Sequence, residues 1–208
     1  YEPRSSPMSD DATILIKQAF DPYFEAPITA WRSFVALGET VHAARGEVLK
    51  ETGSTEKHLW FILRGSGGIQ LWHAHNFVCI DLCYEREFFG DYMSFLTEEP
   101  TALQVITFEE STLFRIDRNA FGSLSLASPV GEHIRRSAAE ALFIHKQRQQ
   151  IDILTRTAAE RYLDLLRRQP KVVQRTPLKH IASYLGITPQ SLSRIRRATA
   201  NTRLITRG

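Results

Sequence analysis

The sequence predicts an α+β chain: a barrel or sandwich of short strands, then one long helix, then a pair of short helices joined by a tight turn. Three observations carry this. Between about residues 39 and 116, short apolar alternations are punctuated by glycine, the pattern of an all-β unit. From Pro129 to about residue 154, apolar residues recur at helical spacing. At residues 178–197, two apolar faces at helical spacing flank Gly186.

The elements follow in order. Residues 1 to about 11 are polar, carry Pro3 and Pro7, and read as frayed, with Met8 a candidate start. A first helix is expected at 14–19 and a second at 30–37, after Pro22 and Pro27, with Thr29 as its cap. Strands are expected at 40–44, 48–50, 59–63, 68–72, 77–83, 103–108 and 111–116. Gly90-Asp91 opens a short helical stretch that ends before Pro100. Its backbone N–H groups suit either an anion or an ordinary loop. A short helix at 118–126 precedes the long one, whose expected apolar stripe is Val130, Ile134, Ala138, Ala141, Leu142 and His145. A long amphipathic helix between two units suits a dimer seam. Thr157 and Glu160 form a capping box for a helix to Leu166, and Gln169-Pro170 ends it, leaving 171–177 as a connector. The chain divides into an N-terminal segment (1–28, partly disordered), the β unit (29–127), the long helix (128–155) and a C-terminal unit (156–208).

Composition narrows the function. With 208 residues, 43% hydrophobic and 10% aromatic, the chain can bury a core. No run of 18 apolar residues and no signal-like opening occurs, so a soluble, cytoplasmic protein without membrane contact is expected. Cys79 and Cys83 would lie about 13 Å apart on an extended strand, too far for a disulfide, and read as strand or core residues. No nucleophile–base pair, paired-carboxylate motif or phosphate loop is present, so no enzyme is expected. His73, His75, Cys79 and Cys83 read as a polar hairpin rather than a metal set.

The C-terminal pair is the informative stretch. Leu178, Ile181, Ala182 and Leu185 make one apolar face, Gly186 stops the helix, and Thr188 and Pro189 start the next. Leu192 and Ile195 face inward, leaving Gln190, Ser191, Ser193, Arg194, Arg196 and Arg197 outside. Arginine matches the two acceptors of guanine, glutamine matches adenine, and serine reaches base or phosphate. Residues 156–208 hold 12 basic residues against two acidic ones, whereas residues 1–155 hold 14 against 21. A basic end on an acidic body is the charge split of a nucleic-acid reader.

On these residues the chain resembles the Crp/Fnr family of bacterial transcription regulators. The resemblance rests on Ser94–Thr97 before a proline, on Glu160–Leu166, and most specifically on the ungapped unit Leu185–Arg194. It implies a cyclic-nucleotide-binding-like jelly-roll (double-stranded β-helix) barrel, a dimerising helix, a C-terminal helix-turn-helix, and contact with RNA polymerase. The family's base-reading positions fall on Pro189, Gln190, Ser191 and Arg194. Gln190 and Arg194 are expected to read bases, Lys179, Ser191, Ser193, Arg196 and Arg197 mostly to fix phosphates, and Thr188, the cap, is counted with the DNA-binding residues. In the barrel the effector pocket would fall on Gly90, Asp91, Tyr92, Met93, Thr101 and Ala102. Where cyclic-nucleotide binders carry Gly-Glu for the ribose, this chain has Gly90-Asp91. Where they carry Arg-Ser for the phosphate, it has Thr101-Ala102, with no cation in an acidic loop.

The expectation is therefore a homodimeric reader of two-fold symmetric double-stranded DNA. It has a degenerate pocket, no cofactor and an effector left open. The alternatives are a true cyclic-nucleotide sensor and a ligand-binding module acting through protein contacts. The family's β-hairpin wing has room for one strand at most in 201–208, where Arg203 and Arg207 could instead meet phosphates.

Overall fold

The computed structural model describes residues 7–73, 76–127 and 129–205. Two helices precede the sheets: α1 (Pro7–Phe20) and α2 (Ile28–Val35). Ala12, Ile16 and Phe20 recur every four residues and are buried against Trp31, Phe34 and the first sheet. The N-terminal segment from Pro7 onward is thus a packed helix rather than a frayed lead. Its polar opening hid an i, i+4, i+8 apolar face. Helix α2 starts before Thr29, whose carbonyl accepts from Ser33 inside the helix, so Thr29 is not the cap.

Eight antiparallel strands follow: β1 (Glu39–Ala43), β2 (Val48–Lys50), β3 (His58–Arg64), β4 (Ser66–His73), β5 (Asn76–Tyr84), β6 (Phe88–Phe89), β7 (Leu103–Thr107) and β8 (Ser111–Asp117). They form two four-stranded sheets, ordered β1-β8-β3-β6 and β2-β7-β4-β5, a jelly-roll-like arrangement. Alternation fixes the register: Trp60, Ile62, Val105 and Leu113 point into the space between the sheets with Cys83 and Phe89. Strand β6, absent from the sequence reading, has two residues and is held by pairing Phe88 with Phe61 and Phe89 with Trp60. Too short for any periodicity, it exists because β3 offers it partners.

Between β6 and β7 lies α3 (Tyr92–Thr97), and after β8 come α4 (Arg118–Ala127) and the 27-residue α5 (Pro129–Thr155). Only the first part of the stripe expected on α5 as a seam lies in this chain's own interior; further along, Ala141 and Leu142 are half-buried and His145 is exposed. Ile134 and Ala138 pack into the core of α1, α2 and the first sheet. The exposed large apolar side chains of α5 are Phe143, Ile144, Ile151, Ile153 and Leu154, at 65%, 48%, 56%, 54% and 76% exposure.

The C-terminal unit is α6 (Ala158–Arg168), α7 (Pro170–Arg175), α8 (Leu178–Tyr184) and α9 (Pro189–Ile205). The capping box of α6 is formed in full by Thr157 and Glu160. The expected connector contains a helix, because Pro170 begins α7 instead of merely ending α6. Proline fits the first helical position, where no N–H is needed. Helix α9 runs 17 residues, so 201–205 continue it rather than starting a wing strand. Residues 206–208, with Arg207, lie outside the described residues.

Candidate nucleic-acid interface and barrel pocket

Helices α8 and α9 meet through Leu185-Gly186-Ile187-Thr188. Gly186 takes φ +69°, where a side chain would be strained. Its N–H donates to Ser183 O and that of Ile187 to Ala182 O, both at 3.0 Å, the paired bonds that close a helix C-terminus. The Thr188 hydroxyl then accepts from Ser191 N–H at 3.1 Å and caps α9. Ile181, Ala182, Leu185 and Leu192 are fully buried in one cluster. Burying a leucine such as Leu192 is worth roughly 1.5–3 kcal/mol and sets the roll of α9.

That roll leaves Gln190, Arg194, Arg196 and Arg197 exposed. At 100° per residue, Gln190, Arg194 and Arg197 share one face, and Arg196 lies off it. None of the three arginines forms an ion pair with the described residues, while Arg156, Arg168 and Arg175 all do. The other expected contact residues are placed differently. Ser191 Oγ is bonded to Thr188 Oγ1 at 3.0 Å, and Ser193 Oγ donates to Pro189 O at 3.0 Å. The Lys179 ammonium sits 5.9 Å above the Phe77 ring, held by the barrel.

The C-terminal unit rests on β4 and β5. Tyr162, Leu165 and Ile181 share a cluster with Leu82, Tyr84 and Phe108. Polar contacts fix the pose: Cys79 N–H donates to Ser183 Oγ at 2.8 Å, Lys146 pairs with Asp81 at 2.5 Å, and Arg175 pairs with Glu85 at 2.8 Å. Buried His180 stacks on Phe108 at 4.3 Å, and Gln70 Nε2 lies 2.9 Å from its Nδ1. Burial lowers the His180 pKa to about 4, with Lys179 adding to the effect. The folded chain therefore keeps this ring neutral where the unfolded chain, below about pH 6.5, protonates it. Its contribution to stability is complete above that pH and is lost as pH falls towards 4. Ring-proton NMR is expected to show His180 titrating near 4, and the stability advantage of wild type over His180→Leu is expected to shrink over that range. A midpoint at the ordinary 6.5 would contradict it.

The barrel pocket is built around α3. Asp91 caps that helix, its carboxylate accepting from Ser94 N–H at 3.1 Å. Its other oxygen receives Lys50 of β2 at 2.9 Å, in a pair with both side chains almost wholly buried. Thr101 Oγ1 also donates to Asp91 and accepts from Lys50 at 2.9 Å, and Lys50 donates to Leu103 O at 2.7 Å. The expectation of a site without a cation is thus corrected. A lysine 41 positions upstream of Asp91 supplies one, and Arg118 of α4 pairs with Glu98 at 3.0 Å. All three ammonium hydrogens of Lys50 are taken, however. Beneath Gly90 lies a second buried carboxylate, Glu56, which accepts from His58 N–H at 3.1 Å and Trp60 Nε1 at 3.3 Å. Burial raises its pKa. Tyr92 is half-buried on Phe95, Ala102 is exposed, and Met93 is 58% exposed.

Cys79 and Cys83 are buried β5 residues, as read. Burial pushes Cys79 up to about 12 and Cys83 well above its ordinary value, so neither is a thiolate at neutral pH. Among the described residues no group of three or more His, Cys, Asp or Glu could hold a metal; His75 lies outside them. No helix among the described residues is long and apolar enough to cross a membrane.

Residues 40–127 match the cyclic nucleotide-binding domain family. No curated protein matches the chain. Solved structures do. The c-di-GMP responsive global regulator CLP of Xanthomonas campestris is 16% identical with a TM-score of 0.65, covering 85% of this chain and 93% of its own. FixK2 of Bradyrhizobium japonicum is 12% identical at 0.69, covering 79% and 85%. The catabolite activator protein of Thermus thermophilus is 19% identical at 0.54, covering 88% and 87%. Strands, long helix and C-terminal helices together thus have the fold of these regulators, with a cyclic nucleotide-binding-type domain at residues 40–127.

Proposed function

We propose that this chain is a sequence-specific DNA-binding transcription regulator of the Crp/Fnr type, without enzymatic activity. One observation carries the reading. Gln190, Arg194 and Arg197 stand together on the exposed face of a helix that follows a glycine turn, and the arginines pair with no described acid. Arginine and glutamine side chains on such a helix read base edges in the major groove. Arg196, beside them, meets phosphate and sets orientation. Two copies joined along Phe143, Ile144, Ile151 and Leu154 would present two such helices to a two-fold symmetric site. A fluorescence-anisotropy titration of the full chain against duplex DNA tests this. Affinity is expected to fall steeply with salt, as phosphate neutralisation requires. Binding that is absent, or flat across ionic strength, would sink the proposal.

The barrel, on this reading, does not bind cyclic AMP tightly. A cyclic phosphate needs a free cation or unpaired donors. Lys50 is consumed by Asp91, Thr101 and Leu103, and the Glu56 and Asp91 carboxylates sit where an anion would approach. Calorimetry is expected to give no binding of cyclic AMP or cyclic GMP stronger than about 1 mM, or about −4 kcal/mol. Micromolar binding would contradict it.

A further inference from the structure

Between α5 and the C-terminal helices lies a cavity of about 150 Å³ that the roles above leave unused. Helix α5 contributes Arg148 and Gln149, α6 contributes Arg161 and Leu165, and α8 contributes Tyr184. Two acids also line it, and both are already satisfied. Asp164 pairs with Arg168 at 2.7 Å, and Asp152 with Arg156 at 3.3 Å. Arg148 and Arg161 pair with no described carboxylate. Arg161 Nη2 donates to Leu185 O at 2.8 Å, but its Nε is buried with no partner, one of two such atoms among the described residues. A buried charged donor left unpaired is costly. The Tyr184 hydroxyl accepts from Gln149 Nε2 at 3.4 Å, which frees its own proton to donate.

We propose that this cavity binds a small organic anion, a carboxylate or a phosphate monoester. Its charged end meets Arg161, Arg148 and the Tyr184 hydroxyl, and its apolar body lies against Leu165 and Ala141. Guanidinium groups match both kinds of oxyanion in the same two-pronged geometry. A cavity of this volume accommodates a benzene-sized body, which limits the ligand to roughly ten non-hydrogen atoms. Because its walls come from α5, α6 and α8, such a ligand ties the C-terminal unit to the long helix.

Calorimetry and thermal-shift measurements on the full chain test this with benzoate, phenyl phosphate and inorganic phosphate, and with benzyl alcohol as the neutral control. Benzoate or phenyl phosphate is expected to bind and raise Tm, with benzyl alcohol inert and inorganic phosphate weaker for want of an apolar body. Arg161→Gln should weaken binding at least about tenfold, or about 1.4 kcal/mol. Arg148→Ala, at an exposed side chain, and Tyr184→Phe, which removes only a hydroxyl, should each weaken it severalfold and keep the test alive should Arg161→Gln not fold. The proposal is overturned if neither organic anion binds at about 10 mM. It is also overturned if binding is unchanged in all three variants, or if benzyl alcohol binds as well. None of these readouts involves DNA, so their failure is separate from a failure of DNA reading.

Discussion

Arg194→Ala is expected to lower affinity for the preferred duplex by about 1–3 kcal/mol and to relax base preference at one position of each half-site. Arg194 lies one helical turn from Gln190, exposed and without a described acidic partner. It can therefore present its whole guanidinium edge to the two acceptors of guanine. Arg196→Ala serves as the internal comparison. Lying off that face, it should weaken binding about equally on all sequences and reduce the salt slope by about one unit. Competition binding against single-base variants of the site separates the two. An Arg194→Ala protein with unchanged sequence preference would contradict the assignment.

Lys50→Met is expected to destabilise the barrel by about 3–5 kcal/mol, because it leaves the Asp91 carboxylate buried without its cation. The Lys50 and Asp91 side chains are almost wholly buried, 2.9 Å apart. Asp91 cannot move to water, because its other oxygen caps α3. Adding Asp91→Asn removes the stranded charge while keeping a capping side chain, and should recover much of the loss. Urea unfolding of the single and double variants measures both. A single variant losing under about 1 kcal/mol would show that the pair is solvated rather than structural.

Much of this architecture is legible in the sequence because its signals are local. The Thr157–Glu160 box and the Gly186 turn act within a few residues, and both form as read. Seven strands announce themselves by alternation between glycines. What escapes reading depends on distant partners. Strand β6 exists only because β3 pairs with it, and α1 is held by Trp31 and Phe34 rather than by its own composition. Lys50 reads as an ordinary strand-end lysine, yet it neutralises Asp91, four strands further along the chain. The stripe on α5 is divided: Ile134 and Ala138 pack into the chain's own core, whereas His145 is exposed, and periodicity alone does not mark where one use of the face ends.

Helix α9 is expected to read DNA sequence whether or not the barrel holds a cyclic nucleotide. A binding selection from random duplex DNA, run with and without cyclic AMP, tests it most directly. One two-fold symmetric motif is expected in both arms, with half-sites about 10 base pairs apart. A motif that appears only with cyclic AMP would contradict the reading of the Lys50–Asp91 cluster, and no motif in either arm would contradict the assignment of Gln190, Arg194 and Arg197.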